Sequence, residues 1–256
     1  MKTIAIVNQK GGVAKTTTAL ALGYNLATLG KKILIIDFDP QGSLTTFLGF
    51  DTSEIPTAFE WLGVQKKHAA RFDDVVLRVK DNLDLIPSDI SLEEAPGFLY
   101  SKPGGHGYLM NVIDVIKARY DYIIIDTSPS LNVLTINALV AADDLIVPFK
   151  PEAGSVKGIS LLLDTIQDVR ALNRNVKISG FIVVMADKRR KVTLRENIEY
   201  ITNIARENGS RVYTSMIRAT ASATRLTKEQ LFTLGTSASD DYLAFTNEFL
   251  QGEDLQ

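Results

Sequence analysis

Apolar runs of strand length recur along this chain, and they are continuous rather than alternating in hydrophobicity. Continuous runs are typical of strands buried on both faces, as in a parallel sheet covered by helices. They occupy residues 3–7, 33–37, 83–87, 122–126, 144–149, 178–185 and 211–214. Because parallel strands need a crossover between them, this pattern predicts a repeated βα unit.

The segments between these runs have helical periodicity, which supports the same fold class. They occupy residues 15–28, 107–119, 133–141, 156–172 and 193–208, whereas residues 50–81 are less regular. A length of 256 residues without a Pro/Gly/Ser-rich linker favours one domain over the whole chain. We therefore predict a single-domain, doubly wound α/β fold, with a mostly parallel sheet and helices on both faces.

The composition excludes several classes of protein. The absence of cysteine excludes a disulfide framework, thiolate-held metal centres and a cysteine nucleophile. No apolar run is long enough for a membrane span, and the first residues lack the features of a signal peptide. A cytoplasmic protein is therefore expected.

A glycine-containing loop joins the first strand to the first helix. Residues 8–18 read NQKGGVAKTTT. Adjacent Gly11 and Gly12 let backbone N–H groups wrap a phosphate, and the helix start adds partial positive charge. Lys15 can reach the β and γ phosphates, and Thr16 can place its hydroxyl on Mg²⁺. Ala14 stands where the usual pattern has glycine, so a positive φ there would cost about 1 kcal/mol.

Residues 10–17 resemble the deviant Walker A motif of the ParA/MinD family of dimerising ATPases. The resemblance implies the P-loop NTPase fold, bound ATP and Mg²⁺, and a homodimer formed on ATP binding. It implies that Lys15 acts within its own subunit and Lys10 across the dimer. The phosphate-binding residues would be Gly11, Gly12, Val13, Ala14, Lys15, Thr16 and Thr17.

Aspartates end two of the predicted strands, at the edge where such folds bind ligands. Asp37 and Asp39 lie in the segment DFDPQGS, which is similar to the second conserved segment of the family, and Asp126 ends the run YIIID. Asp126 fits the Walker B role of holding Mg²⁺ through water. Asp39 is predicted to position the attacking water, with Asp37 tuning the nucleotide site. Taken alone, any of these aspartates is equally consistent with a strand-end cap.

Comparison with the branches of this family favours one of them. The iron–sulfur branches need cysteine ligands, which this chain lacks. The MinD branch ends in a basic amphipathic helix, whereas residues 249–256 are acidic, so no membrane partner is expected. What remains is the ParA/Soj partition branch. Its ATP-bound dimers bind DNA, and a cargo-bound ParB-like or adaptor protein stimulates hydrolysis. The cargo would be a plasmid, a chromosome origin or a protein body such as a carboxysome.

Charge is distributed unevenly along the chain. Residues 185–228 hold ten basic and four acidic side chains, a net charge of +6 in a chain of net charge −2. Such a segment is typical of non-specific binding to duplex DNA, although it also suits a solvated helix face. The family resemblance favours DNA contacts by Arg189, Arg190, Arg218 and Arg225.

Other residues have weaker assignments. Lys150 is interpreted as a surface lysine in preference to a second phosphate ligand beside Lys10. His68 and His106 have no ligand partners at useful spacing, and Phe59 and Trp61 are predicted to pack in the core.

Two other functions are compatible with the loop. One is a metabolic P-loop enzyme resembling dethiobiotin synthetase, and the other is a nucleotide-locked DNA-binding switch with negligible hydrolysis. Lys10 and the basic segment argue against the first of these.

Overall fold

The computed structural model describes residues 1–65, 69–152, 155–187, 191–219 and 236–254, and within these ranges all strands belong to one sheet. The strands are β1 (Lys2–Ile6), β2 (Ile33–Phe38), β3 (Leu77–Lys80), β4 (Leu83–Ile86), β5 (Tyr122–Thr127), β6 (Asp144–Phe149), β7 (Lys177–Ala186) and β8 (Val212–Arg218). Their order across the sheet is β3-β4-β2-β5-β1-β6-β7-β8. Only β3 runs antiparallel to its neighbour among these pairings, so the predicted mostly parallel sheet is confirmed.

Helices cover both faces of the sheet. They are α1 (Lys15–Thr28), α2 (Ser43–Phe47), α3 (Ala58–Trp61), α4 (Phe72–Val75), α5 (Ala95–Ser101), α6 (Tyr108–Ile116), α7 (Val133–Ala141), α8 (Ser155–Val169), α9 (Lys191–Glu207) and α10 (Ser237–Asp254). Helices α1, α2 and α10 pack on one face, and α3 to α9 pack on the other. This arrangement explains why the central strands are apolar at successive positions, since both faces are buried.

Helix α1 lies unusually close to the sheet. Its apolar residues include Ala19, Leu20, Ala21 and Leu22, all buried. A Cβ built on Gly23 would lie 2.7 Å from Cδ1 of Ile35. This close contact holds the start of α1 firmly above the carboxyl ends of the central strands.

Two elements differ from the sequence expectations. Strand β3 lies within the stretch judged irregular, and it is a short edge strand that pairs only with β4 in the described sheet. Helix α10 was not predicted, although Ala238, Tyr242, Phe245 and Phe249 are buried along one side of it. In addition, the predicted helix 107–119 is α-helical only in its middle part, α6, and a 3₁₀ turn flanks α6 on each side.

The sheet order brings the motifs together. Strands β2, β5 and β1 are neighbours, and Asp37 pairs in register with Asp126 across β2 and β5. In parallel strands all three carboxyl ends lie at the same edge of the sheet. No helix in the described ranges combines the length and the apolar character needed to cross a membrane.

Candidate functional site

The loop between β1 and α1 is open on the side that faces away from the sheet. A Cβ built on Gly11 or Gly12 would meet nothing within 4 Å, and Gly12 has a φ of 69°. The Asn8 side chain fixes the start of the loop, because its Nδ2 donates to the Pro148 carbonyl at 2.7 Å and its Oδ1 accepts from Lys10 N at 2.9 Å. An external phosphate therefore has free access to this backbone.

Ala14 precedes α1 in a left-handed conformation, with φ 56° and ψ 34°. An L-residue in this region is strained by about 1 to 2 kcal/mol, so the substitution of the usual glycine has an energetic consequence. Ala14 supplies no side-chain cap, and the first turn of α1 holds no acidic residue. The first N–H groups of α1 thus depend on another partner, and the start of a helix is a favourable site for an anion.

Lys15 lies beneath this loop. Its side chain is buried, and its Nζ donates to the Lys10 carbonyl at a long 3.4 Å. Burial lowers the pKa of Lys15, while the charges of Asp126 and Asp39 act in the opposite direction. A buried ammonium with so little hydrogen bonding is suited to binding a phosphate.

Asp126 is fully buried, and its carboxylate oxygens make no hydrogen bond of normal geometry among the described residues, although the Thr16 side chain lies close enough to favour the ionised form. Burial raises its pKa well above the ordinary value, and neighbouring Asp37 adds to the effect, whereas Thr16 and Lys15 oppose it. A cation close to this carboxylate favours its ionised form, as Lys15 does in part. Mg²⁺ fits, since it uses one or two carboxylates together with water and phosphate oxygens. No cluster of three or more potential metal-binding side chains occurs in the described ranges.

Asp37 and Asp39 occupy different depths of the site. Asp37 is fully buried and accepts from both N and Oγ1 of Thr45, and burial raises its pKa to about 6 despite these bonds. Asp39 lies nearer the surface, beside a cavity of about 380 Å³ that Pro129 and Asn132 also line. Asp39 is therefore the more accessible of the two carboxylates, and the roles predicted for them, positioning the attacking water for Asp39 and tuning the site for Asp37, stay predictions.

Lys10 has a partner that sequence reasoning missed. Glu152 accepts from Lys10 Nζ at 2.5 Å through Oε1 and pairs with Lys150 Nζ at 2.7 Å through Oε2. The two lysines pull the pKa of Glu152 below its ordinary value. The sequence signal was present, because Lys150 and Glu152 directly follow β6, whose carboxyl end lies beside β1.

The predicted DNA contacts are only partly described. Arg218 lies at the end of β8, where it pairs with Asp241 at 2.8 Å, and their side chains are 41% and 13% exposed. Arg189, Arg190 and Arg225 lie outside the described residues, as does His68. The role of the four arginines in DNA binding stays a prediction.

The remaining sequence assignments are structural. Phe59 and Trp61 are buried in the core, as predicted. His106 makes an edge-on contact with the Tyr100 ring, with the ring centroids 6.1 Å apart.

The fold and the site together define a P-loop nucleotide-binding domain. It has a parallel sheet, a glycine-containing loop at a helix start, and buried lysine and aspartate groups beneath that loop.

Comparison with known proteins gives the family. Residues 1–178 match the AAA domain family AAA_31. The sporulation initiation inhibitor protein Soj of Bacillus subtilis is 37% identical over 217 residues, covering 84% of this chain and 83% of Soj. The chromosome partitioning protein ParA of Caulobacter vibrioides is 34% identical over 261 residues, covering 99% and 95%.

Solved structures confirm the fold. An ATP complex of an aspartate-to-alanine variant of Cyanothece McdA superposes with a TM-score of 0.84 at 27% identity, covering 98% of this chain and 96% of that one. A Mycobacterium smegmatis structure described as cobyrinic acid a,c-diamide synthase with ADP and magnesium has a TM-score of 0.84 at 29% identity, covering 99% and 96%. The chain belongs to the ParA/MinD family of P-loop proteins, in its partition branch.

Proposed function

We propose that this protein is a Mg²⁺-dependent ATPase that dimerises on binding ATP and positions a cargo on DNA. The observation that carries the proposal is the buried carboxylate of Asp126, which makes no hydrogen bond of normal geometry among the described residues and interacts with the charge of Lys15 at the start of α1. The pair suits a cation and an anion together, as Mg²⁺ and the phosphates of ATP provide.

Each residue of the site has a distinct role in this proposal. The loop from Gly11 to Thr17 holds the phosphates through its N–H groups, and Lys15 binds the β and γ phosphates. Thr16 and Asp126 hold Mg²⁺, which when bound neutralises charge that develops on the phosphates. Asp39 orients the attacking water, and the cavity beside it gives that water access.

Lys10 is proposed to act on the nucleotide of the second subunit. In the described structure its ammonium is paired with Glu152 and is about one third exposed, at the rim of the site. Exposed ion pairs of this kind contribute little to stability, so transferring Lys10 to a phosphate on dimerisation costs little.

DNA binding is proposed for the segment 185–228. In its described part, Arg195 and Arg206 are exposed on α9 and border a cavity of about 800 Å³. We propose that the ATP-bound dimer associates with nucleoid DNA in the cytoplasm. A cargo-bound ParB-like or adaptor protein then stimulates hydrolysis and releases it. Cargo, partner and DNA contacts are supported here by family membership and charge.

Two substitutions test the ATPase proposal. Lys15→Ala removes the main cation at the phosphates and is expected to abolish ATP binding in calorimetry, whereas Lys31→Ala, an exposed lysine beyond the other end of α1, leaves it unchanged. Asp39→Ala is expected to bind ATP, hydrolyse it slowly and form a long-lived dimer in size-exclusion chromatography. Unchanged affinity in Lys15→Ala, or a monomeric Asp39→Ala protein with saturating ATP, would contradict the proposal.

The second candidate is a metabolic P-loop enzyme of the dethiobiotin-synthetase type. The likeness to the structure described as a cobyrinic acid a,c-diamide synthase favours it, because that name denotes an enzyme acting on a carboxylate substrate. Stimulation of ATP turnover by a small carboxylate substrate, together with indifference to DNA, would support this candidate instead.

A further inference from the structure

A buried hydrogen-bond network connects the aspartate loop to the end of strand β4. Thr45 is central to it, because its backbone N and its Oγ1 both donate to Oδ2 of Asp37, at 2.9 and 2.7 Å. The Thr45 hydroxyl also accepts from Ser88 N at 3.0 Å. Thr45 and Ser88 are both almost completely buried.

Ser88 holds the other aspartate of the loop. Its Oγ donates to the backbone carbonyl of Asp39 at 2.9 Å. Gly42 allows the loop to lie this close, since a Cβ built there would be 2.6 Å from the Ser88 carbonyl oxygen and φ is 56°. The Asp37–Asp39 turn is therefore held by Ser88, which follows β4, directly at Asp39 and through Thr45 of α2 at Asp37.

The two aspartates are also connected to each other. Asp39 N donates to Oδ1 of Asp37 at 3.3 Å, and Gln41 N donates to Oδ1 of Asp39 at 3.0 Å. Each carboxylate thus has its direction set by a hydrogen bond within the turn. A shift in the Asp37 side chain is transmitted to the backbone of Asp39 through this contact.

We propose that Thr45 and Ser88 are positioning residues for hydrolysis, which hold the Asp37–Asp39 turn so that the Asp39 carboxylate is aimed at the attacking water. This inference rests on the proposed ATPase function. Neither side chain contacts the phosphate-binding loop through a described hydrogen bond. Their contribution is therefore to orientation, where a displacement of about 1 Å lowers a rate by as much as about 100-fold.

A purely structural role makes a different prediction. Thr45 N lies in the first turn of α2, whose N-cap residue is Gly42, so the Asp37 carboxylate also caps this short helix. If capping were the whole role, replacing the Thr45 hydroxyl would lower stability and leave the rate constant of the folded protein unchanged.

The test is the hydrolysis rate of Thr45→Val, measured with saturating ATP and Mg²⁺ at a temperature where the protein is folded. This substitution removes the Oγ1 hydrogen bonds and keeps the backbone N–H and the side-chain volume. We expect kcat to fall at least tenfold while ATP affinity in calorimetry changes less than twofold. Thr45→Ser, which restores the hydroxyl, is expected to recover most of the rate.

Two further variants complete the design. Thr46→Val makes the same chemical change at the adjacent, exposed position, and it is expected to hydrolyse ATP at the wild-type rate. Ser88→Ala removes the bond to the Asp39 carbonyl and is expected to reproduce the loss of kcat, so the test does not depend on the folding of one variant.

The outcomes separate this inference from the function on which it rests. A wild-type protein that binds ATP without hydrolysing it refutes the ATPase proposal and the inference with it. Wild-type hydrolysis with unchanged kcat in folded Thr45→Val and Ser88→Ala overturns the inference alone. A fall in ATP affinity equal to the fall in rate also overturns it, because the residues would then act on binding.

Discussion

At the scale of single residues, the position of Asp126 favours ligand binding and lowers the stability of the protein without nucleotide. Its carboxylate is fully buried without a hydrogen bond of normal geometry among the described residues, and Asp37 is its register neighbour. Burial raises its pKa, so the folded protein binds a proton that the unfolded chain releases above about pH 4. The contribution of Asp126 to the stability of the nucleotide-free protein therefore decreases as pH rises above about 4.

The first prediction follows from that sign. Asp126→Asn removes the buried charge and is expected to raise the free energy of unfolding by about 1 to 3 kcal/mol at pH 8, with a smaller gain at pH 5. Urea unfolding without nucleotide and with a chelator measures both values. Asp81→Asn, at an exposed turn, is the control and should change neither. A loss of stability at pH 8 in Asp126→Asn would contradict the account.

The sequence predicts the residue types of the site better than their contacts. Lys15, Thr16 and Asp126 follow from motif and spacing because backbone geometry at a strand-loop-helix junction is local. The conformation of Ala14 was left open by the sequence, and only its φ of 56° decides that it is strained. Glu152 and Thr45 were missed because their roles arise from loops that meet only after the sheet has assembled.

At the scale of elements, the hydrophobic pattern predicts the bounds of those strands and helices that have a continuous buried surface. Strand β6 and helices α1 and α7 have the predicted bounds, since each is apolar over its full length or on a continuous face. Helix α10 was missed because its mean hydropathy is low, and its acidic end was considered only as evidence against a membrane partner. Its acidic residues have a different role, since Glu248 accepts from the backbone N–H groups of Thr214 and Ser215 on edge strand β8.

The second prediction concerns this contact between α10 and β8. Burial alone would raise the pKa of Glu248, but the hydrogen bonds from Thr214 and Ser215 lower it overall. Glu248→Ala is expected to lower stability by about 1 kcal/mol at pH 7, because a carboxylate that accepts two N–H groups is lost. A lowered pKa means that this contribution decreases as pH falls below about 4.5, so the difference from wild type should shrink at pH 3.

Thermal unfolding at the two pH values measures the effect. Glu196→Ala on the exposed side of α9 is the matched control and is expected to unfold like wild type. An effect of Glu248→Ala that does not depend on pH would mean that packing, and not the charge, is responsible.

At the scale of the whole molecule, the order of the strands brings the parts of the nucleotide site together. Neighbouring positions of β2, β5 and β1 bring together loops whose motifs begin near residues 8, 37 and 126 of the chain. The described parts of the basic segment 185–228 follow later in the chain, at the end of β7, on α9 and on β8. In the proposed function, ATP controls DNA binding through dimerisation, which pairs two weak surfaces.

The last prediction tests that arrangement on DNA. ATP-loaded protein is expected to bind duplexes of unrelated sequence with similar affinity, and this affinity should fall steeply with salt, by about 0.9 in log–log slope for each phosphate contacted. The double variant Arg189→Ala, Arg190→Ala should weaken binding equally on all sequences and reduce the slope, while ATP turnover without DNA stays at the wild-type rate.

Arg218→Ala needs its own control, because it also leaves Asp241 unpaired at the junction of β8 and α10. If Arg218 contacts phosphate, Arg218→Ala lowers DNA affinity and Asp241→Asn does not. If both variants lower it equally, Arg218 acts by holding α10. Binding that is independent of ATP, or selective for sequence, would overturn the DNA-binding proposal.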